Sequence, residues 1–277
     1  IRIAATGLLL VVASANLPAM GRLEATMEER FDSISALVES TRGLTYGQRV
    51  SIVTDAYDQL FVRGVLATLS DEDLRFVFRA ARMTPLYSRD EKYQLDMERA
   101  FAELKSRGIT RKSQVFDLYG MFVATRRFDD AARLLEDNPS IGLEVLPMLE
   151  PSPAPEGQPT VLSLKMDSRS MQRTGVVLST GPRVIVVGHP NCHFSANSVA
   201  DLEDDDGLIR SFSEHAIWIA PPDPTIGYDL IVNWNKHHPD APVVIAYDAR
   251  EWPFVDTWET PTFYFLLDGK LKAKVVG

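Results

Sequence analysis

The N-terminal half of the chain carries apolar residues at helical spacing. Phe31, Ile34, Leu37 and Val38 are typical, because residues three and four positions apart lie on one face of an α-helix. The acidic residues that follow Ser70 are typical of the start of such a helix. The pattern predicts helices at residues 23–39, 46–62, 71–82, 90–107, 112–125 and 129–136.

We expect these helices to pack in antiparallel pairs and to form an all-α bundle over residues 20–149. Residues 118–139 resemble a helix pair of the tetratricopeptide type. No second copy follows at a fixed period, so a solenoid and an irregular bundle both stay open. Either arrangement offers a surface for a partner protein or for self-association.

The pattern changes after a segment with four prolines in nine residues, 151–159. Proline is excluded from helix interiors and central strands, so residues 150–160 are predicted to form a stiff linker. Beyond it, a helix is predicted at 225–238, and short apolar runs predict strands at 161–166, 176–179, 184–187, 216–220, 243–246, 263–267 and 270–277. The predicted fold is therefore a two-domain α+β chain, with an α/β domain at 161–277.

The candidate chemistry centres on Cys192, the only cysteine in the 277 residues. It opens a Cys-x-x-Ser tetrad directly after an apolar strand, and a Thr-Pro-Thr sequence centred on Pro261 opens a later one. This order of elements over residues 160–277 resembles the thioredoxin superfamily. The extra helix and strand between the two sequences resemble exported thioredoxins of the cytochrome-maturation type, and also peroxiredoxins. Peroxiredoxins carry threonine where this chain has His189, which disfavours peroxidase activity.

The resemblance implies thiol–disulfide exchange as the leading function. In that superfamily the reactive thiol lies at a helix N-terminus, which lowers its pKa, and the later proline is cis and lies against the thiol. Cys192 would attack as a thiolate, while protonated His193 and the hydroxyl of Ser195 stabilise the sulfur anion. The resemblance implies client contacts for Asn191, Thr260, Pro261 and Trp258, although Trp258 suits a core position equally well.

Two positions depart from the family pattern. Ser195 replaces the second cysteine, and Asn191 replaces a tryptophan. A hydroxyl cannot attack the mixed disulfide, so the resolving thiol has to come from glutathione, the client or a partner protein. The expected substrate is a disulfide-bearing protein or a small-thiol disulfide, and no cofactor is implied.

Two other functions stay open. A non-catalytic adaptor or chaperone would use the α/β domain as a scaffold and the helical domain to bind a partner protein. A copper or zinc carrier would combine the thiol of Cys192 with the imidazoles of His189 and His193. Neighbouring side chains on one helix point in different directions, which disfavours this metal site.

Charge and the first residues limit partners and location. A net charge of −9 disfavours nucleic acid and anionic membranes as main partners. Residues 1–19 resemble a signal peptide, because Arg2 precedes an apolar run, 3–13, and small residues follow. The run is shorter than the ~20 residues of a membrane span, so no span is expected. An uncleaved anchor and a buried first helix stay open, but the leading expectation is export, as to a periplasm.

Overall fold

A computed structural model describes residues 25–41, 43–61, 64–85, 87–153 and 156–277. The predicted signal peptide, residues 1–19, lies outside these ranges. Within them, no helix combines the length and the apolar character that crossing a membrane requires.

The N-terminal half is helical, and its helix ends fall within a few residues of the predicted ones. Thr26 and Thr45 begin the first two helices with reciprocal hydrogen bonds to Glu29 and Gln48, and Ser70 caps the third. These helices are α1 (Met27–Ser40), α2 (Tyr46–Leu60), α3 (Asp71–Met83), α4 (Glu91–Ser106), α5 (Lys112–Ala124) and α6 (Phe128–Asp137).

Packing of the helices follows their apolar faces. Helix α3 packs against α1 and α4, and α5 packs against α6. Ile34, Leu74, Phe78, Met97 and Leu104 are fully buried between them. Residues three or four apart in the sequence thus supply the core, as the spacing predicted.

The C-terminal half contains a mixed sheet flanked by helices. Among the described residues the sheet has eight strands in the order β1-β3-β2-β6-β5-β4-β7-β8. The elements are β1 (Met148–Glu150), β2 (Thr160–Lys165), β3 (Ser170–Gly175), β4 (Pro182–Val187), α7 (His193–Glu203), α8 (Asp206–His215), β5 (Ala216–Ala220), α9 (Tyr228–His237), β6 (Val243–Ala246), β7 (Thr262–Leu267) and β8 (Lys270–Val276). The chain is therefore an α+β protein with a helical half and a sheet half.

The interior strand β4 brings two distant segments together. It runs parallel to β5 and antiparallel to β7, and Val187 at its end pairs with Thr262 at the start of β7. Residues just after β4 and just before β7 therefore meet at one edge of the sheet. This edge carries both Cys192 and Pro261.

The alternation of side chains along β4 fills two cores. Val186 faces a cluster that also holds Trp218 of β5 and Val199 of α7, whereas Ile185 and Val187 face a second cluster. Strand residues alternate between the two faces of a sheet, so both faces of β4 are buried, as its continuous apolar run indicates.

Three elements of the sheet half differ from the sequence prediction. The strand predicted at 176–179 is wrong, because the strand is the polar segment Ser170–Gly175, which pairs along its length with β2. Its hairpin turns through Arg169, whose φ is 44°. The short strand β1 and helix α8 were not predicted. Cross-strand hydrogen bonds, rather than apolar spacing, determine β1 and β3.

The two halves share one hydrophobic cluster and a set of polar contacts. The guanidinium of Arg126, which follows α5, donates to the backbone carbonyls of Ala246 and Tyr247 at 2.6 and 3.0 Å. Gly120 of α5 lies so close to Pro224 that an added Cβ would be 2.8 Å from the proline Cβ. The helical half is therefore packed directly against the sheet half, close to the ends of β5 and β6.

Candidate functional site

Cys192 lies where the loop after β4 enters a helix. It is the N-cap residue of α7, with an extended backbone conformation (φ −90°, ψ 112°), and its thiol is free and partly buried. Its backbone N–H donates to the carbonyl of His189 at 2.8 Å, which closes the turn. Placement at the first turn of a helix exposes the sulfur to the helix's unpaired N–H groups.

The second half of the site comes from the segment before β7. The Thr260–Pro261 peptide bond is cis, as the resemblance implied, and Pro261 is buried. The Sγ atom of Cys192 lies 3.3 Å from the carbonyl oxygen of Thr260 and donates to it as a thiol. The pairing of β4 with β7 is what brings these two residues together.

The surroundings of Cys192 favour its ionised form. Partial burial raises the pKa of the thiol, but hydrogen bonds outweigh this effect and hold the pKa below its ordinary value. The hydrogen bonds that favour the thiolate come from the side chain of Thr260, the backbone N–H and hydroxyl of Ser195, and the backbone N–H of Phe194. The contact with the Thr260 carbonyl is made only by the protonated thiol, so it does not contribute to this lowering. Such a thiol is a better nucleophile at neutral pH than a free cysteine.

Ser195 lies beneath the thiol rather than at the surface. Its side chain is only 1% exposed, and its hydroxyl accepts a hydrogen bond from the N–H of His189 at 3.3 Å. The serine therefore links the start of α7 to the loop after β4. It can donate to the sulfur anion, but an alcohol does not complete thiol exchange.

His193 and Phe194 form an exposed rim beside the thiol. Their ring centroids lie 3.9 Å apart, and Phe194 is 55% exposed. An exposed aromatic residue at a helix start is available for contact with another molecule. The predicted role of His193 as a stabiliser of the thiolate stays a prediction.

His189 and Asn191 shape the loop. The Nδ1 atom of His189 accepts from the N–H of Asn191 at 3.1 Å, which places the proton of a neutral ring on Nε2. Nε2 lies 4.0 Å from the carboxylate of Asp223, which follows β5. Burial raises the pKa of Asp223, and the charges of His189 and Arg126 oppose this effect.

The metal alternative gains no support from this arrangement. Among the described residues, no group of three or more histidine, cysteine, aspartate or glutamate side chains is arranged to hold a metal ion. His189 already accepts a backbone hydrogen bond through Nδ1, and His193 packs on Phe194.

A cleft of about 250 Å³ lies between the two halves, lined in part by the segment that leads to Thr260. Trp258 and Glu259, directly before Thr260, form one wall, whereas the helical half contributes the opposite wall. Trp258 is partly buried and packs on a core cluster, while Trp252 is fully buried within it. The other residues that line the cleft are Leu44, Tyr46, Arg49, Tyr87, Pro221, Pro222, Asp223, Ala249, Asp256 and Thr257.

Sequence reasoning missed the residues that the helical half and the β5 loop bring to this cleft. Arg49 lies on α2, Tyr87 precedes α4, and Asp223 follows β5. No local pattern marks them, because they meet at the cleft only through the packing of the two halves. The two prolines before Asp223 were the only local signal of an irregular segment there.

Comparisons with known proteins gave no match: no family model matches the chain, and neither the curated proteins nor the solved structures contain a significant relative.

Proposed function

We propose that this chain is a monothiol member of the thioredoxin superfamily that carries out thiol–disulfide exchange on a protein or small-thiol disulfide. The observation that supports it most strongly is the position of Cys192 at the start of α7 beside the proline loop, where donors from Ser195 and Phe194 help to hold the thiol pKa below its ordinary value. A low-pKa, partly accessible thiol at a helix start is typical of a reactive rather than a structural cysteine.

The reaction begins with attack of the Cys192 thiolate on one sulfur of the substrate disulfide. The S–S bond of the substrate breaks, a new S–S bond joins Cys192 to one half, and the other half leaves as a thiolate that takes up a proton. An external thiolate then attacks the mixed disulfide at the Cys192 sulfur. The bound half leaves, and a second external thiol regenerates free Cys192 and a small disulfide. Ser195 and the N–H groups of α7 stabilise the sulfur anion in each step.

The helical half would carry the partner-binding role. Its α5–α6 hairpin is the pair that resembles a tetratricopeptide unit, and α5 lies against the sheet half through Gly120 and Pro224. Export to a periplasm-like compartment is part of the same proposal, because disulfide substrates are common there.

A quantitative exchange assay tests the proposal. Purified protein is mixed with a peptide mixed disulfide and glutathione, and release of the free peptide is followed over time. The wild-type protein should accelerate release, whereas Cys192→Ala should match the rate without protein. Equal rates for the two proteins would reject exchange.

A non-catalytic adaptor is the second candidate, and the 55% exposure of Phe194 beside the thiol favours it. An exposed aromatic ring suits the centre of a binding surface. In an adaptor, substitution of Phe194 would weaken partner binding while Cys192→Ala left it intact. In an exchange protein, Cys192→Ala would abolish capture of the substrate as a mixed disulfide.

A further inference from the structure

His189 connects the segment that follows β4 to the first turn of α7. Its backbone N–H donates to the hydroxyl of Ser195 at 3.3 Å, and its carbonyl accepts from the N–H of Cys192 at 2.8 Å. Its ring makes a third hydrogen bond, because Nδ1 accepts from the N–H of Asn191 at 3.1 Å. One residue is therefore bonded both to the thiol residue and to the serine beneath it.

The bond between the carbonyl of His189 and the N–H of Cys192 closes a β-turn with Pro190 and Asn191 at its centre. Proline favours the second position of such a turn because its ring fixes φ. Aspartate, asparagine and serine favour the first position, where the side chain accepts a hydrogen bond from the N–H two residues later. Nδ1 of His189 makes this bond. The ring thus serves as the acceptor that an asparagine would supply.

This turn determines where the hydroxyl proton of Ser195 can go. The side chain of Ser195 is buried, and its oxygen accepts from the N–H of His189. A hydroxyl has a single proton, and here that proton is available to the sulfur of Cys192, whose thiolate it stabilises. The surroundings leave little room for another arrangement, because a Cβ added at Gly188 would lie 3.1 Å from the ring of Trp218 and 3.5 Å from the serine hydroxyl.

The other ring nitrogen of His189 faces away from the turn. Because Nδ1 accepts a hydrogen bond, the proton of the neutral ring lies on Nε2, which is 4.0 Å from the carboxylate of Asp223. At this distance the contact is electrostatic rather than a hydrogen bond. The two nitrogens therefore have different partners, one within the cysteine loop and one in the segment that follows β5.

We propose that His189 is a positioning residue for the exchange reaction: its Nδ1 closes the turn that aims the Ser195 hydroxyl at the sulfur of Cys192. The inference rests on the proposed function and deepens it, because it names the side chain that holds the nucleophile and its hydrogen-bond donor in register. The ring transfers no proton in this role. An uncharged side chain with an acceptor at the place of Nδ1 should therefore replace it.

Two amide variants test which ring nitrogen matters. In His189→Asn the side-chain oxygen takes the place of Nδ1, whereas in His189→Gln it lies one bond farther along, near the place of Nε2. The rate of iodoacetamide alkylation at Cys192 is measured by intact mass for each full-length protein between about pH 5 and about 10. The pH of half-maximal rate reports the ionisation of the thiol, and the limiting rate at high pH reports its accessibility.

We expect His189→Asn to keep the pH of half-maximal alkylation found for the wild type. His189→Gln should raise this pH by about one unit with an unchanged limiting rate, because the loss of one hydrogen bond to a charged group corresponds to about that shift. Both variants keep a polar side chain at a position that is only partly buried, so both should fold. The same half-maximal pH in the two variants would overturn the assignment.

A double-mutant cycle with Ser195→Ala shows whether His189 acts through the serine. Ser195→Ala alone should raise the half-maximal pH by a similar amount, and His189→Gln should add no further shift in that background. Additive shifts would mean that the ring influences the sulfur by another route, which would contradict a positioning role through Ser195.

The alkylation test and the exchange assay can fail separately, because alkylation requires no disulfide substrate. The predicted difference between His189→Asn and His189→Gln, in a protein that releases no peptide from the mixed disulfide, would support the role of His189 and count against exchange alone. Wild-type alkylation in both amide variants, with normal release of the peptide, would overturn the role of His189 and leave exchange intact.

Discussion

The sulfur of Cys192 and the carbonyl oxygen of Thr260 lie 3.3 Å apart, although 68 positions separate the two residues in the sequence. Antiparallel pairing of β4 with β7 is responsible, because the register sets Val187 opposite Thr262. The thiol is thereby held between the first turn of α7 and the chain that enters β7.

Replacement of Ser195 by cysteine should supply the missing resolving thiol. Ser195 is buried directly beneath Cys192 and hydrogen-bonds to it, so a thiol at this position lies within reach. We expect Ser195→Cys to form an intrachain disulfide with Cys192 under oxidation and to gain disulfide reductase turnover with a dithiol reductant. Intact mass and an insulin-reduction assay measure the two effects.

Ser198→Cys is the matched control for that substitution. Ser198 lies on the same helix, but its hydroxyl donates to the carbonyl of Phe194 rather than approaching the sulfur. It should form no disulfide with Cys192 and gain no turnover. Equal behaviour of the two variants would contradict the geometry described for Ser195.

The stability of the protein should depend on pH through Cys192. Because the folded pKa lies below the unfolded value, the fold stabilises the thiolate. The contribution of the thiolate to the free energy of unfolding is complete above the pKa of the unfolded chain, ~8.5. It is lost as the pH falls through the lower pKa of the folded protein. Urea unfolding at several pH values should therefore show wild type gaining stability relative to Cys192→Ala as the pH rises through this window. A difference that does not change with pH would rule out a lowered pKa.

Arg126 should be essential for the contact between the halves. It is 9% exposed and donates to the carbonyls of Ala246 and Tyr247, which Arg126→Met would leave without these donors. We expect a loss of about 2–3 kcal/mol in the free energy of unfolding. Arg82→Met, at an exposed ion pair with Asp117, should change it by less than about 1 kcal/mol. Similar losses in both variants would contradict this role.

Glycine at position 120 should be required by the packing of α5 on the sheet half. The Cβ of Gly120→Ala would meet the rigid ring of Pro224 at 2.8 Å, so we expect a loss of about 1–3 kcal/mol. The control Gly47→Ala, on α2, meets nothing within 4 Å and should be neutral or stabilising by about 0.5 kcal/mol. The thermal unfolding temperatures of both variants are compared with that of the wild type. A Gly120→Ala variant more stable than the wild type would show that the halves do not pack in this way.

The sequence predicted the helices well because their stability depends on local features. The caps at Thr26, Thr45 and Ser70 and the apolar faces behind them lie within each segment. The turn between β7 and β8 is local as well: Asp268 and Gly269 both have the positive φ values that a tight hairpin requires.

The elements that were missed depend on distant partners. Strand β3 is polar and becomes a strand only because β2 pairs with it along its length. The cleft combines Arg49 of α2 with Trp258, more than two hundred residues later in the chain, and only the packing of the two halves joins them. The candidate thiol and the proline loop were found because each follows or precedes an apolar strand in a recognisable order.

The pH dependence of Cys192 alkylation tests the account most directly. The folded protein is treated with iodoacetamide between pH 4 and about 10, and modification is measured by intact mass, with a short cysteine peptide as the reference. We predict that the pH at which Cys192 alkylation reaches half its maximal rate lies clearly below that of the peptide. The peptide should show the value of a free cysteine, about 8.5. A thiol that stays unmodified in the folded protein, or a midpoint at or above that of the peptide, would contradict the account.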